Sequence, residues 1–387
     1  MDVSELYFRD AKTGIQRVVK RVINEFQRGE GVDYQVIPVF GVTGKGYRVA
    51  SGYPGSSAYV ASLSECPIEY SAGDVFLGLD LSAHLFPEFD GELERMRRAG
   101  VGIHFVVYDL IPLLHSRFAY PGIDGAFNNW MRSISQYADG VVAISAAVAA
   151  DVKVWLQQHG GGRVMPSISH FHLGADIEDV QGQGSSTLED AFIDQLKAVP
   201  TFLMVGTLEP RKGHAQTLAA FDVLWAQGVE VNLVLVGKEG WAVEQLVQDL
   251  RAHPQLGKRL FWLQGLSDAD LTELYSACCA LIAASEAEGF GLPLIEAAQH
   301  KLPIIARDIP VFREVAGEFA YYFQGVSADE LAHAMKQWLE LFEQGAQPLS
   351  DEMPWLHWSE SAAELKRLVL GVTENTQLKH NAPAQAH

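Results

Sequence analysis

Cysteine is scarce in this chain: Cys66, Cys278 and Cys279 are the only three in 387 residues, and two of them are adjacent. An odd count with one neighbouring pair builds no disulfide framework and fits a reducing, cytoplasmic setting. Basic charge is also in deficit. Lys plus Arg number 29 against 48 for Asp plus Glu, a formal net charge of −19. A surface of that sign repels a phosphate backbone and argues against nucleic acid as a partner. Long apolar runs are missing, since nothing approaches the ~20 residues of a membrane-spanning helix. The opening MDVSELYFRD is polar and mixed, unlike a secretory leader. What is present is a composition 48% hydrophobic and 20% charged, enough to fill a core. At about 100–200 residues per domain, the length sets an expectation of two domains.

Short apolar, β-branched runs alternate with longer helical patterns. Strands are expected at Tyr34–Phe40, Val75–Leu79, Gly102–Tyr108, Gly140–Ile144, Thr201–Val205, Val231–Val236, Arg259–Leu263, Ala280–Ala284 and Pro303–Ala306. Between them, apolar residues three and four apart mark helices such as Ile15–Phe26, Phe127–Tyr137, Ala215–Trp225 and Leu271–Cys278. That rhythm is the signature of α/β folding with parallel, doubly wound sheets. It breaks once, at the polar, glycine-rich Gly174–Ser186, which reads as a linker. The expected division is a Rossmann-like domain over 1–178, a second over 190–358 and a polar tail over 373–387. Only Met1-Asp2-Val3 precedes the first turn. Either the first strand is very short or the chain starts inside it, as a piece of a longer protein would.

Two loops carry chemistry. In SEAEGFGLPLIEAA (Ser285–Ala298) a strand ends, a glycine turn follows and a helix begins near Gly291, with Pro293 in its first turn. The amides of Phe290, Gly291 and Leu292 then point out of a helix N-terminus, a ready anion site. Gly289 and Gly291 allow close approach of a ligand. Glu288 and Glu296 stand on either side of this cradle, which suits a ligand bearing both phosphates and hydroxyls, a nucleotide sugar. On spacing alone, a plain glycine turn beside an exposed helix carboxylate fits equally well. The other loop is VGTLEPRKGH (Val205–His214), where Arg211 and Lys212 follow an apolar strand. Together they would neutralise a diphosphate, although a solvated basic turn has the same pattern. Both loops lie beyond the carboxyl ends of strands, where ligands bind in open α/β sheets.

GTLEPRKG followed some eighty residues later by EGFGLPLIE resembles the retaining, GT-B-fold glycosyltransferases of family 4. TGIQRVV at Thr13–Val19, YDLIPL at Tyr108–Leu113, AISAAVAADV at Ala143–Val152, LVLVGKEGW at Leu233–Trp241 and LSDADLTELYSAC at Leu266–Cys278 resemble their mannosyltransferase-B-like branch, which builds bacterial surface polysaccharides such as O-antigens. The resemblance implies two Rossmann-like domains facing across a cleft, with the helix over 359–372 crossing back to the first. It implies a nucleotide-sugar donor, GDP-mannose first, and a glycan or lipid-linked glycan acceptor. No cofactor and no metal are implied. Glu288 would hold the donor sugar, the Phe290–Leu292 amides the sugar and diphosphate, Glu296 the ribose, and Arg211 and Lys212 the phosphates. Gly14 would face the diphosphate and the acceptor from the first domain, and Asp109 would sit at the acceptor side of the cleft. Gly206, Gly237, Leu266 and Gly289 complete the expected donor site.

The chain departs from the family pattern at three positions. Thr207 stands where many relatives have arginine, so Arg211 must supply the second cation. Tyr108 replaces a frequent histidine, with His115 nearby in a loop. Lys301 replaces a frequent glycine at a position expected to be exposed. Other signals have ordinary explanations. Ser267 with Asp270 reads as a helix cap rather than part of an Asp-x-Asp metal motif with Asp268. His170 and His172 have no Cys or carboxylate beside them in sequence, so zinc is not expected. Gly41, Gly44 and Gly46 form no phosphate loop, and Gly160-Gly161-Gly162 ends a helix. Residues 9–28 carry Arg9, Lys12, Arg17, Lys20, Arg21 and Arg28 against Asp10 and Glu25. A solvated helix face explains this, and peripheral attraction to the inner face of the plasma membrane is the alternative. Rival functions are use of a UDP-sugar or dTDP-rhamnose donor, a hydrolysing nucleotide-sugar epimerase, and a silent scaffold subunit of an assembly complex.

Overall fold

The computed structural model describes residues 1–31, 34–54, 66–161, 164–176 and 186–371. The linker expectation falls partly, and the tail and Gly162 wholly, outside these residues. The first lobe holds strands β1 (Val39–Val42), β2 (Gly46–Val49), β3 (Val75–Gly78), β4 (Gly102–Val107), β5 (Gly140–Ala143) and β6 (Ser167–His170). The second holds β7 (Thr201–Val205), β8 (Asn232–Val236), β9 (Leu260–Leu263), β10 (Ala280–Ala283), β11 (Ile304–Arg307) and β12 (Ala320–Phe323). β3-β4-β5-β6 form one parallel sheet, and β12-β11-β10-β7-β8-β9 form another. Helices connect the parallel strands because a parallel crossover needs a long return path. Central strands such as β5 and β8 are buried throughout, so they read as continuous apolar runs.

The run Tyr34–Phe40 is not a strand along its length. Pro38 removes a ladder donor, and the strand begins at Val39, turning back antiparallel through Gly44 and Gly46 to pair with β2. Three strands escaped the periodicity: the hairpin partner β2, and two more. β6 is SISH, too polar and exposed to signal itself, and β12 is the short AYYF.

Asp2 forms an isolated parallel bridge with Val39. Val3 N–H donates to Val39 O (2.8 Å), Val39 N–H to Met1 O (2.9 Å) and Asp2 N–H to Leu77 O (2.8 Å). The chain start is therefore threaded between the hairpin and β3. Buried acids hold it there. Asp2 accepts from the Ser82 hydroxyl at 2.7 Å, and Asp80 accepts from the amides of Leu6 (2.8 Å) and Leu81 (2.9 Å). Burial, with Asp2 nearby, pushes the Asp80 carboxyl up to about 7.

The Trp358–Leu370 helix packs on the Gly14–Arg28 helix of the first lobe. Its start is fixed there by Trp358 N–H to Asp176 Oδ1 (2.6 Å) and Ser361 Oγ to His172 O (2.7 Å). One large cluster of buried side chains runs from Val3, Val19 and Leu79 through Phe171 and Phe290 to Leu365, so the lobes share apolar packing. Burial at about 25 cal/mol per Å² makes this the main adhesive between them. Lys301 is exposed at φ +56°, the left-handed conformation that glycine adopts without strain.

Candidate active site

Parallel strands β7, β8 and β10 deliver their carboxyl ends to one rim. After β7, Gly206 lies against Gly237, which follows β8; Gly206 N–H donates to Val236 O at 2.9 Å. The chain then forms a single turn, Pro210–Lys212, and Gly213 (φ +80°) packs so tightly on the end of β10 that a Cβ there would lie 2.4 Å from Ala284 O. This close approach is what brings Arg211 and Lys212 to the Ser285–Gly291 loop. Glu286 N–H donates to Arg211 O at 2.8 Å and fixes the register of the two loops.

Glu288 sits at their junction. Arg211 Nη1 reaches its Oε2 at 2.8 Å, the Lys212 ammonium pairs with its Oε1, and the Ser285 hydroxyl donates to Oε1 at 2.7 Å. Burial alone would raise this carboxyl. Arg211 and Lys212 outweigh it and hold Glu288 down to about 2, so the group is ionised. Arg211 also donates to Ala287 O (3.0 Å) and pairs with Glu209 (3.0 Å). Next to Lys212, His214 is buried, and its ring nitrogens have no partner among the described residues. Burial, reinforced by Lys212, depresses it to about 3, so it is neutral.

Beyond Glu288 the Leu292–Gln299 helix starts from Gly291. The Phe290 and Gly291 amides donate to no backbone acceptor among the described residues, which leaves the helix N-terminus free for an anion. The Phe290 side chain turns away, packing edge-on against His172 with centroids 5.4 Å apart. Gly289 touches the other lobe. Its carbonyl accepts from Ser145 Oγ at 2.8 Å, and a Cβ there would lie 2.0 Å from Tyr108 O and 3.3 Å from Asp109 Cβ. Only glycine permits this approach, which places Asp109 beside the Glu288 loop. Burial raises the Asp109 carboxyl, with Arg211 opposing. Tyr108 points elsewhere, donating to Leu79 O at 2.8 Å within the first lobe. The side chain at the position where histidine is frequent thus faces away from the cleft.

Glu296 lies further along the same helix, 2% exposed. Its Oε1 meets Arg17 Nη1 at 2.5 Å and its Oε2 accepts from Tyr275 OH at 2.7 Å. Arg17 comes from the first lobe, on the helix that begins at Gly14, capped by Thr13. Sequence reading singled out Gly14 but not Arg17, Tyr275, Ser285 or Ser145. Arg17 was visible only as one of six basic residues, and its partner is 279 positions away. Leu266 packs against the apolar core just ahead of the Asp268–Ala277 helix. That helix opens with the capping box of Ser267 and Asp270, and Asp270 also accepts from Thr187 N–H at 2.6 Å.

One expectation is corrected here. His170 and His172 do have a carboxylate beside them, because the fold brings Glu314 from the second lobe to within 2.8 Å of His172 Nε2. Glu314 is already engaged by the amides of Ala146 (2.6 Å) and Ala147 (2.8 Å) at a helix start. The basic stretch over residues 9–28 is also largely answered, with Arg17 on Glu296, Lys20 on Asp10 and Arg28 on Glu25.

Residues 189–347 match the family model described as glycosyl transferases group 1. That stretch, which makes up most of the second lobe, is similar to group 1 glycosyl transferase domains. The Glu288, Arg211 and Lys212 cluster, the free helix N-terminus and Glu296 all lie inside the matched stretch. Over 366 residues the chain is 46% identical to the serotype-specific mannosyltransferase WbdA of Escherichia coli, matching 94% of this chain and 45% of WbdA. The chain thus spans less than half the length of that relative. Over 150 residues it is 33% identical to the O-antigen chain mannosyltransferase RfbU of Salmonella typhimurium, covering 38% of this chain and 40% of RfbU. Among solved structures, Anabaena HepE in complex with UDP and glucose aligns at a TM-score of 0.53 with 17% identity, over 76% of this chain and 73% of that one. Sucrose-phosphate synthase from Thermosynechococcus elongatus aligns at 0.55 with 18% identity, over 81% and 85%. The fold is GT-B, two Rossmann-like lobes facing each other.

Proposed function

We propose that this chain is a glycosyltransferase that moves mannose from a nucleotide sugar, GDP-mannose first, to a growing bacterial surface polysaccharide or a lipid-linked precursor of one. The observation that carries this reading is Glu288 clasped by Arg211 and Lys212 beside free helix-terminal amides. Two half-buried cations and an amide cradle suit a departing diphosphate, and the mannosyltransferase relatives favour the sugar. Glu288 would hold the donor sugar, Glu296 the ribose, and Asp109 would face the acceptor. Transfer would proceed with retention and without metal, as a family 4 enzyme would. The leaving diphosphate oxygen takes the acceptor proton, and the protein contributes positioning and charge stabilisation. The paired charges on the Gly14–Arg28 helix favour a solvated face over a lipid-binding one.

A test of donor identity is thermal stabilisation by GDP-mannose, UDP-sugars and dTDP-rhamnose, since a true ligand raises the melting temperature by mass action. GDP-mannose should give the largest shift; a larger shift with another donor reassigns the sugar. Activity should persist in excess EDTA. Loss in EDTA restored by manganese would overturn the metal-free reading. Release of free sugar without acceptor at the transfer rate would favour the hydrolysing epimerase.

A further inference from the structure

The cleft has a second chemically distinct feature. Where the first lobe's Ile111–Tyr120 segment passes over the second, Ile111 and Phe118 pack on Ala287, and Arg117 pairs with Glu286 at 2.7 Å. This anchors the segment directly beside Glu288. At its end Tyr120 is 64% exposed, and its ring faces Trp241 of the other lobe edge-on at 6.3 Å. Trp241 is held on the rim as well. Its neighbour Gly240 donates to Leu208 O at 3.1 Å, and Leu208 N–H donates to Lys238 O at 2.9 Å, which ties the Trp241 loop to the loop bearing Arg211. Neither the Tyr120 hydroxyl nor the Trp241 indole N–H has a hydrogen-bond partner among the described residues.

An exposed tyrosine against a half-buried tryptophan contributes little to a core, and here one ring comes from each lobe. Both side chains offer an apolar face and a free polar tip. A sugar ring presents the complement, a face of C–H groups edged by hydroxyls. We infer that Tyr120 and Trp241 form an acceptor subsite that stacks a saccharide unit of the incoming glycan at the cleft rim. This rests on the transferase reading above. Because its two halves belong to different lobes, the subsite is complete only when the cleft is closed.

The test uses the whole chain with an α-linked mannotriose as probe, followed by tryptophan fluorescence, and GDP binding by calorimetry. Tyr120→Ala and Trp241→Ala should each weaken mannotriose binding about 5–10-fold, the scale of a lost aromatic contact, while GDP affinity stays within about twofold. Trp241→Phe should retain most of the binding, read in that variant by calorimetry. In turnover assays both alanine variants should raise the acceptor KM and leave the donor KM unchanged. Unchanged mannotriose affinity in both alanine variants, or no mannotriose binding by the wild type, would overturn the subsite. Absence of any nucleoside diphosphate binding by the wild type would overturn the transferase reading instead.

Discussion

Glu288 and Glu296 share one loop-and-helix segment, yet the two ends are built differently. Glu288 is satisfied inside its own lobe by Arg211, Lys212 and Ser285. Glu296 is satisfied by Tyr275 of its own lobe and Arg17 of the other. The first arrangement is assembled when the second lobe folds and is independent of the cleft. The second is complete only when the lobes are in contact. The difference separates a charge cluster fixed by one lobe from a carboxylate whose partners come from both.

The strongest way to break this contrast is at Glu288. Replacing it with alanine leaves the half-buried Arg211 and Lys212 without their shared carboxylate, and losing one partner of a buried pair costs up to about 3–5 kcal/mol. Glu288→Ala should lower chemical-denaturation stability by that order and turnover at least ~100-fold. Lys212→Ala should lower turnover on the same scale, that of a lost charge-stabilising donor. Full activity in the Lys212 variant would remove the diphosphate assignment.

Glu296→Gln should have a smaller and different effect. Affinity for the free nucleoside diphosphate should fall about 10-fold, the order of one hydrogen bond to a charged group, while turnover at saturating donor changes little. Glu288→Gln should do the reverse, because interactions made only in the transition state lower turnover. Equal loss of nucleoside diphosphate affinity in both variants would erase the distinction.

Arg17→Ala sharpens the comparison. It removes the cation from a carboxylate that keeps Tyr275, so the stability loss should be about 1–3 kcal/mol, below that of Glu288→Ala. A loss as large as the Glu288 variant's would mean that both carboxylates depend equally on charge.

The smallest expected effect is in pH dependence. Glu288 is depressed to about 2, so its contribution is fully present above the unfolded value near ~4.3 and flat from pH 5 to 8. Asp80, raised to about 7, has the opposite sign. Its contribution is present below the unfolded value near ~3.9 and is lost as pH rises through 7. Asp80 should therefore lower the melting temperature as pH rises from 5 to 7, against the opposite slope of the neutral His214 below its unfolded value near ~6.5, and Asp80→Asn should remove the Asp80 part. A slope unchanged by Asp80→Asn would place its origin elsewhere.

Much of this molecule was written locally. The parallel strands announced themselves because both their faces are buried, which gives apolar runs such as Leu233–Val236. The Glu288 loop was legible because a strand end, a glycine turn and a proline-started helix are neighbours in sequence. The Ser267–Asp270 cap was legible for the same reason. β6 was not, since SISH takes its place from the pairing of Val141 with Ile168 and not from its own composition.

What the sequence by itself determined is the alternation of strand and helix, the two site loops and the chemistry their residues carry. All of these depend on residues a few positions apart, where backbone geometry fixes the outcome. Only the tertiary structure decided that Arg17 meets Glu296, that Glu314 joins His172, that Asp109 lies against Gly289 and that Tyr120 faces Trp241. Each of those pairs joins the two lobes across more than a hundred residues. Such contacts are set by how two apolar faces pack and by how closely glycine lets the backbones approach, neither of which leaves a periodic trace in the chain.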